Sequence, residues 1–86
     1  MEAEGISRKV IELAAEEAGV APAEVSPASH FVDDLKYDSL AVVEFTMAVE
    51  DEFEMAIPDG DVEGLHTVGS VIEYVEKRSK DAAGGA

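Results

Sequence analysis

Cysteine is absent from the 86 residues, and so is tryptophan. The chain therefore has no disulfide, no thiolate nucleophile and no thiolate metal site, and any thiol chemistry must come from an attached group. Positive charge is scarce too. Lys plus Arg number 6 against 20 Asp plus Glu, a formal net charge of −14. That balance argues against nucleic acid as a partner and favours basic protein surfaces. No apolar run approaches the length of a membrane span, and the start, Met1-Glu2-Ala3-Glu4, is acidic and lacks the apolar core of a signal peptide. A soluble cytoplasmic protein without a membrane partner is expected. A chain of this length makes one domain, which buries only ~60 to 65% of its unfolded surface. So small a core leaves no room for a deep enzyme cleft.

The few basic residues, Arg8, Lys9, Lys36, Lys77, Arg78 and Lys80, leave the interval from Tyr37 to Glu76 without a cation. That interval holds Asp38, Glu44, Glu50, Asp51, Glu52, Glu54, Asp59, Asp61, Glu63 and Glu73. A surface of one sign would steer a positively charged partner and disfavour self-association, so a monomer is expected.

Hydrophobic periodicity gives the elements. Ile6, Val10, Leu13 and Ala14 recur at helical spacing between about residues 4 and 18, and Gly19 is placed to end that helix in a left-handed cap. From Gly19 to Lys36 no period is sustained. Val20, Val25, Phe31 and Leu35 are isolated apolar anchors, which describes a long ordered loop with room for one short helical turn. A second helix is expected over about 39–54, with positions 42, 45, 46, 49 and 53 toward the core. Leu40, Val43 and Met47 form a smaller stripe at its edge. They either pack on the loop or third helix, or stay exposed among acids as a docking face for basic partners. Pro58 stops continuation, a short helix follows at about 59–64, and Thr67 caps a last helix carrying Val68, Val71, Ile72 and Val75. The expected fold is all-α: a small bundle of three principal helices plus one short helix, with a long loop between the first two. One domain is expected over 1–80, with a flexible tail at 81–86.

Ser39 stands at the start of the second helix. Asp38 or Ser39 can cap that helix, and a Ser there can also carry a phosphate group, which free N–H groups and the helix dipole favour. His30 has no ligand or catalytic spacing with other residues. Asp59-x-Asp61-x-Glu63 lacks the full calcium-loop pattern, so no metal is assigned.

Asp38-Ser39-Leu40, Val43-Glu44, Met47-Ala48-Val49-Glu50-Asp51-Glu52-Phe53, Ile57-Pro58-Asp59 and Thr67-Val68 together resemble the acyl carrier protein family of discrete, type II systems. The resemblance runs from about Val10 to Val75. It implies a 4'-phosphopantetheine group attached to Ser39 by a phosphodiester, with acyl intermediates held as thioesters on its thiol. It also implies a carrier rather than an enzyme. Asp38 would help recognition by the phosphopantetheinyl transferase. Leu40, Val43, Glu44, Met47, Glu50, Asp51 and Glu63 would meet the basic surfaces of partners such as acyltransferases and ketosynthases, and the acyl chain would shelter between the helices.

Two departures bear on the pathway. Lys36-Tyr37 replaces the Gly-Ala common before Asp-Ser-Leu, and Ala41 replaces an acid often found two residues after the serine. Tyr37-Asp38-Ser39-Leu40-Ala41 is similar to carriers of aromatic polyketide systems, whereas Glu50-Asp51-Glu52-Phe53 and Ile57-Pro58-Asp59 are similar to fatty-acid carriers. Fatty-acid biosynthesis is the leading reading. A dedicated polyketide carrier and an unmodified acidic adaptor are the alternatives.

Overall fold

The computed structural model describes the backbone of residues 3–85 and the side chains of residues 5–78. Among the described residues four α-helices follow one another: α1 (Ala3–Ala18), α2 (Ser39–Phe53), the single-turn α3 (Asp59–Val62) and α4 (Val68–Gly85). A short 3₁₀ turn, Pro22–Glu24, lies in the long loop after α1. The expected architecture is present, with α3 ending earlier than the spacing suggested. The expected tail at 81–86 falls where side chains lie outside the described residues, while the backbone of α4 runs on to Gly85.

α1 packs against both α2 and α4. Its buried face, Ile6, Val10, Ala14 and Ala15, meets Phe45 and Val49 of α2 and Val68, Val71, Ile72 and Val75 of α4 in one core cluster. Small Ala14 and Ala15 let the helices approach, while β-branched Val and Ile fill the space with few rotamers to lose. α1 ends as its glycine predicts. Gly19 adopts φ +73°, its N–H donates to Glu16 O at 3.2 Å, and Val20 N–H reaches back to Ala15 O at 3.0 Å. These two bonds satisfy carbonyls that the helix end would leave orphaned.

The long loop is stitched to the opposite end of the chain. Gly69 N–H donates to Pro27 O (2.8 Å), Val68 N–H to Ser29 O (3.0 Å) and Phe31 N–H to His66 O (3.1 Å). An isolated antiparallel bridge joins His30 to Thr67. Gly69 permits this seam, since a Cβ there would lie 2.8 Å from Pro27 O. Of the four anchors read from sequence, Val25 and Phe31 are buried and Leu35 half-buried, but Val20 is exposed at the α1 cap. Thr67 caps α4 in a reciprocal pair, with Ser70 N–H donating to Thr67 Oγ1 and Thr67 N–H to Ser70 Oγ, both 3.1 Å.

Candidate functional site

The site grows out of the joint between the loop and α2. Phe31 and Tyr37 bring the loop's last stretch into the core, where they form an aromatic trio with Phe45 at centroid distances of 5.0 to 5.9 Å. Tyr37 Oη donates to Ala14 O at 2.7 Å, tying the residue two before Ser39 to the frame of α1. Burial pushes the Tyr37 phenol well above its usual range, and the Glu17 carboxylate adds to the shift. A neutral, anchored hydroxyl is thus a structural post.

Asp38 follows in extended conformation, and its Oδ1 accepts from Ala41 N–H at 2.8 Å. The open question of which residue caps α2 is thereby decided: Asp38 does. Ser39 is the first helical residue, exposed, and its hydroxyl is not committed to the cap. Ser39 lines an open depression with Val32, Asp38, Val43, Asp59, Val62, Glu63, Leu65 and the two histidines, His30 and His66. Val32, His30 and His66 were not foreseen there. They come from the loop and the α3–α4 connection, which only the tertiary seam brings beside α2.

The outer face of α2 is the exposed one of the two readings. Leu40, Val43 and Met47 are 64%, 52% and 61% exposed, so they neither pack on the loop nor complete the core. Glu44 and Asp51 are exposed on the same helix, and Glu63 is exposed just beyond α3. Glu50 differs from them. It is half-buried, and its Oε2 accepts from Ile57 N–H at 2.7 Å, fastening the connection that leads into α3. Glu44 approaches Glu17 of α1, whose carboxyl is raised above its ordinary 4.5 by partial burial, a hydrogen bond with Glu44, and the charges of Glu44, Asp38 and Glu16. The helix start is therefore strongly acidic on its α1 side.

Behind the depression, Phe31, Tyr37, Val42, Phe45, Thr46, Val49, Ile57, Val62, Leu65 and Val71 line a small, mostly apolar cavity of about 20 Å³. That holds about one water-sized sphere. Phe31, Tyr37, Val42, Val62 and Leu65 line both spaces and so form the wall between them. Among the described residues no group of three or more His, Asp or Glu is placed to hold a metal ion, and no helix is long and apolar enough to cross a membrane.

An exposed serine at a helix start thus stands beside an open depression and an acidic, partly apolar helix face. Residues 8–75 match the family described as a phosphopantetheine attachment site. The chain is 41% identical over 78 residues to the meromycolate extension acyl carrier protein of Mycobacterium leprae, spanning 91% of this chain and 68% of that protein. It is 47% identical over 75 residues to an acyl carrier protein of Bdellovibrio bacteriovorus, spanning 87% and 96%. The solved structure of the acyl carrier protein from Enterococcus faecalis superposes with a TM-score of 0.73 at 33% identity, covering 87% of this chain and 95% of that one. The chain belongs to the acyl carrier protein family. Its cofactor is phosphopantetheine, and it is a carrier of acyl groups rather than a catalyst.

Proposed function

We propose that Ser39 is the attachment point and that the protein carries growing fatty acyl chains to the enzymes that lengthen them. The observation that carries the first part is the division of labour at the start of α2: Asp38 caps, and Ser39 is exposed beside the open depression. The residues fit the group. A phosphate on Ser39 Oγ would sit at the positive end of a 15-residue helix, where backbone N–H groups and the dipole favour an anion. The acids along α2, at Glu17 and around the depression repel the same phosphate, which favours an arm extended away from the surface toward a partner. In the transfer, a bond forms from Ser39 Oγ to phosphorus while the phosphorus–oxygen bond to the nucleotide half of coenzyme A breaks. The hydroxyl proton passes to a base of the transferase, and adenosine 3',5'-bisphosphate leaves. Once bound, the group supplies a thiol on a mobile arm, which raises the effective concentration of its cargo at each partner's active site.

Leu40, Val43 and Met47 supply an apolar contact, and Glu44 and Asp51 the charge that selects basic partner surfaces such as those of the transferase, acyltransferases and ketosynthases. Glu63 borders the depression from the α3 side, and Glu50 divides itself between this face and the Ile57 clamp. Asp38 meets the transferase with whatever acceptor capacity its cap leaves. The protein acts as a cytoplasmic monomer that meets these enzymes one at a time.

Relatives named for meromycolate extension, together with the Glu50-Asp51-Glu52-Phe53 and Ile57-Pro58-Asp59 blocks, favour fatty-acid over polyketide synthesis. Competition between a fatty-acid ketosynthase and an aromatic polyketide ketosynthase pair for the malonyl-loaded protein tests this. The fatty-acid enzyme is expected to show the higher kcat/KM. The reverse preference would overturn the pathway and leave the carrier role standing.

A further inference from the structure

The loop between Phe31 and Tyr37 holds one residue whose exposure neither the fold nor the α2 docking face explains. Val32 is 63% exposed, yet the turn that carries it is fastened on both sides. Asp34 N–H and Leu35 N–H both donate to His30 O (2.9 and 3.0 Å), His30 N–H donates to Asp34 Oδ2 (2.7 Å), and Tyr37 N–H donates to Phe31 O (2.8 Å). Phe31 on one side and Tyr37 beyond are buried. An apolar side chain is thus held in water by a rigid frame, at a position where a polar residue would cost the core nothing. It lies on the rim of the depression that also holds Ser39 and Val43, with exposed Asp33 and Asp38 around the same rim.

We propose that Val32 is a docking residue for the phosphopantetheinyl transferase, meeting an apolar spot set among basic side chains while α2 is engaged through Leu40 and Val43. The inference rests on Ser39 being the attachment point. Geometry singles out this enzyme among the partners. To bring phosphorus within bonding distance of Ser39 Oγ, the transferase must approach the surface immediately around the serine, where the loop side of the depression lies. Enzymes that act on the thiol reach it at the end of a long arm and have no need to cover that side. The acids beside Val32 match a basic surface, and burying the valine adds apolar contact on the depression that Val43 also lines. Because its frame is already rigid, Val32 loses little further freedom on docking.

The test uses the full-length apo protein with coenzyme A, magnesium and a transferase, comparing wild type with Val32→Ser, Val32→Lys and the isosteric Val32→Thr. Transfer is expected to show KM for the carrier raised about 3- to 10-fold in Val32→Ser and more in Val32→Lys, with kcat within about two-fold. Melting temperatures should stay close to wild type, and Val32→Thr serves should either other variant melt early. The same variants, fully loaded at saturating concentration, are then elongated by a ketosynthase, where KM is expected to change by less than about two-fold. An unchanged transferase KM, a fall in kcat alone, or an equal rise in KM with the ketosynthase would each overturn the proposal. Failure of wild type to be modified would instead overturn the attachment at Ser39.

Discussion

Asp38 and Ser39 divide the first turn of α2 between them, and the residues just before them set the angle at which they meet. Lys36 adopts φ +60°, a left-handed conformation that costs a side chain about 1 kcal/mol relative to glycine. Part of that cost is offset by Lys36 Nζ donating to Asp33 O at 2.9 Å. The replacement of a glycine by lysine before the aspartate, visible in the sequence as a departure from family pattern, is thus a replacement at a left-handed position. Lys36→Gly is expected to stabilise the protein by about 0.5 kcal/mol, read from urea unfolding, the net of relieved strain and lost hydrogen bond. A loss of stability greater than about 1 kcal/mol would show that the lysine contact, rather than the backbone, dominates there. The family was legible, because several separated blocks agree in order around Ser39. Tyr37 as a buried post was not, since nothing in a one-dimensional pattern marks the Ala14 carbonyl as its partner.

Among the elements, α2 presents two different faces. Phe45 and Val49 hold the core, Val42, Thr46 and Phe53 are half-buried at its border, and Leu40, Val43 and Met47 face solvent. Helical spacing separated the two sets, because a side chain's direction on a helix follows from its number alone, but it left open whether Leu40, Val43 and Met47 would be packed or exposed. Glu50 lay beyond such reasoning. It spans seven residues to Ile57 N–H across a left-handed turn at Glu54, a contact fixed by how the chain folds back and not by any period. This clamp sets where α3 lies, and Tyr74 Oη donating to Asp61 Oδ2 at 2.7 Å holds α3 from the α4 side. Glu50→Ala is expected to destabilise the protein by about 1 to 2 kcal/mol in urea unfolding and to speed hydrogen exchange at Ile57, since a half-buried N–H loses a charged acceptor. Unchanged exchange at Ile57 would contradict the clamp.

At the scale of the whole molecule, a small bundle has to stay folded under a net charge of −14 while offering a site to large partners. The long loop resolves part of this by tying itself to the start of α4, so that segments distant in sequence frame Ser39 together. That seam rests on backbone hydrogen bonds, and backbone groups are alike in every residue, so the sequence could announce a long ordered loop but not where it would be fastened. The cavity behind the depression is likewise invisible in a list of apolar residues. At about 20 Å³ it cannot hold an acyl chain as it stands, so sheltering cargo there requires the side chains around it to move apart. The proposed function depends on Ser39 receiving the arm. Intact mass spectrometry of the folded protein after incubation with coenzyme A, magnesium and a broad phosphopantetheinyl transferase tests it directly. The account predicts a gain of ~340 Da in wild type and none in Ser39→Ala; no gain in the wild type, or the same gain in the variant, would contradict it.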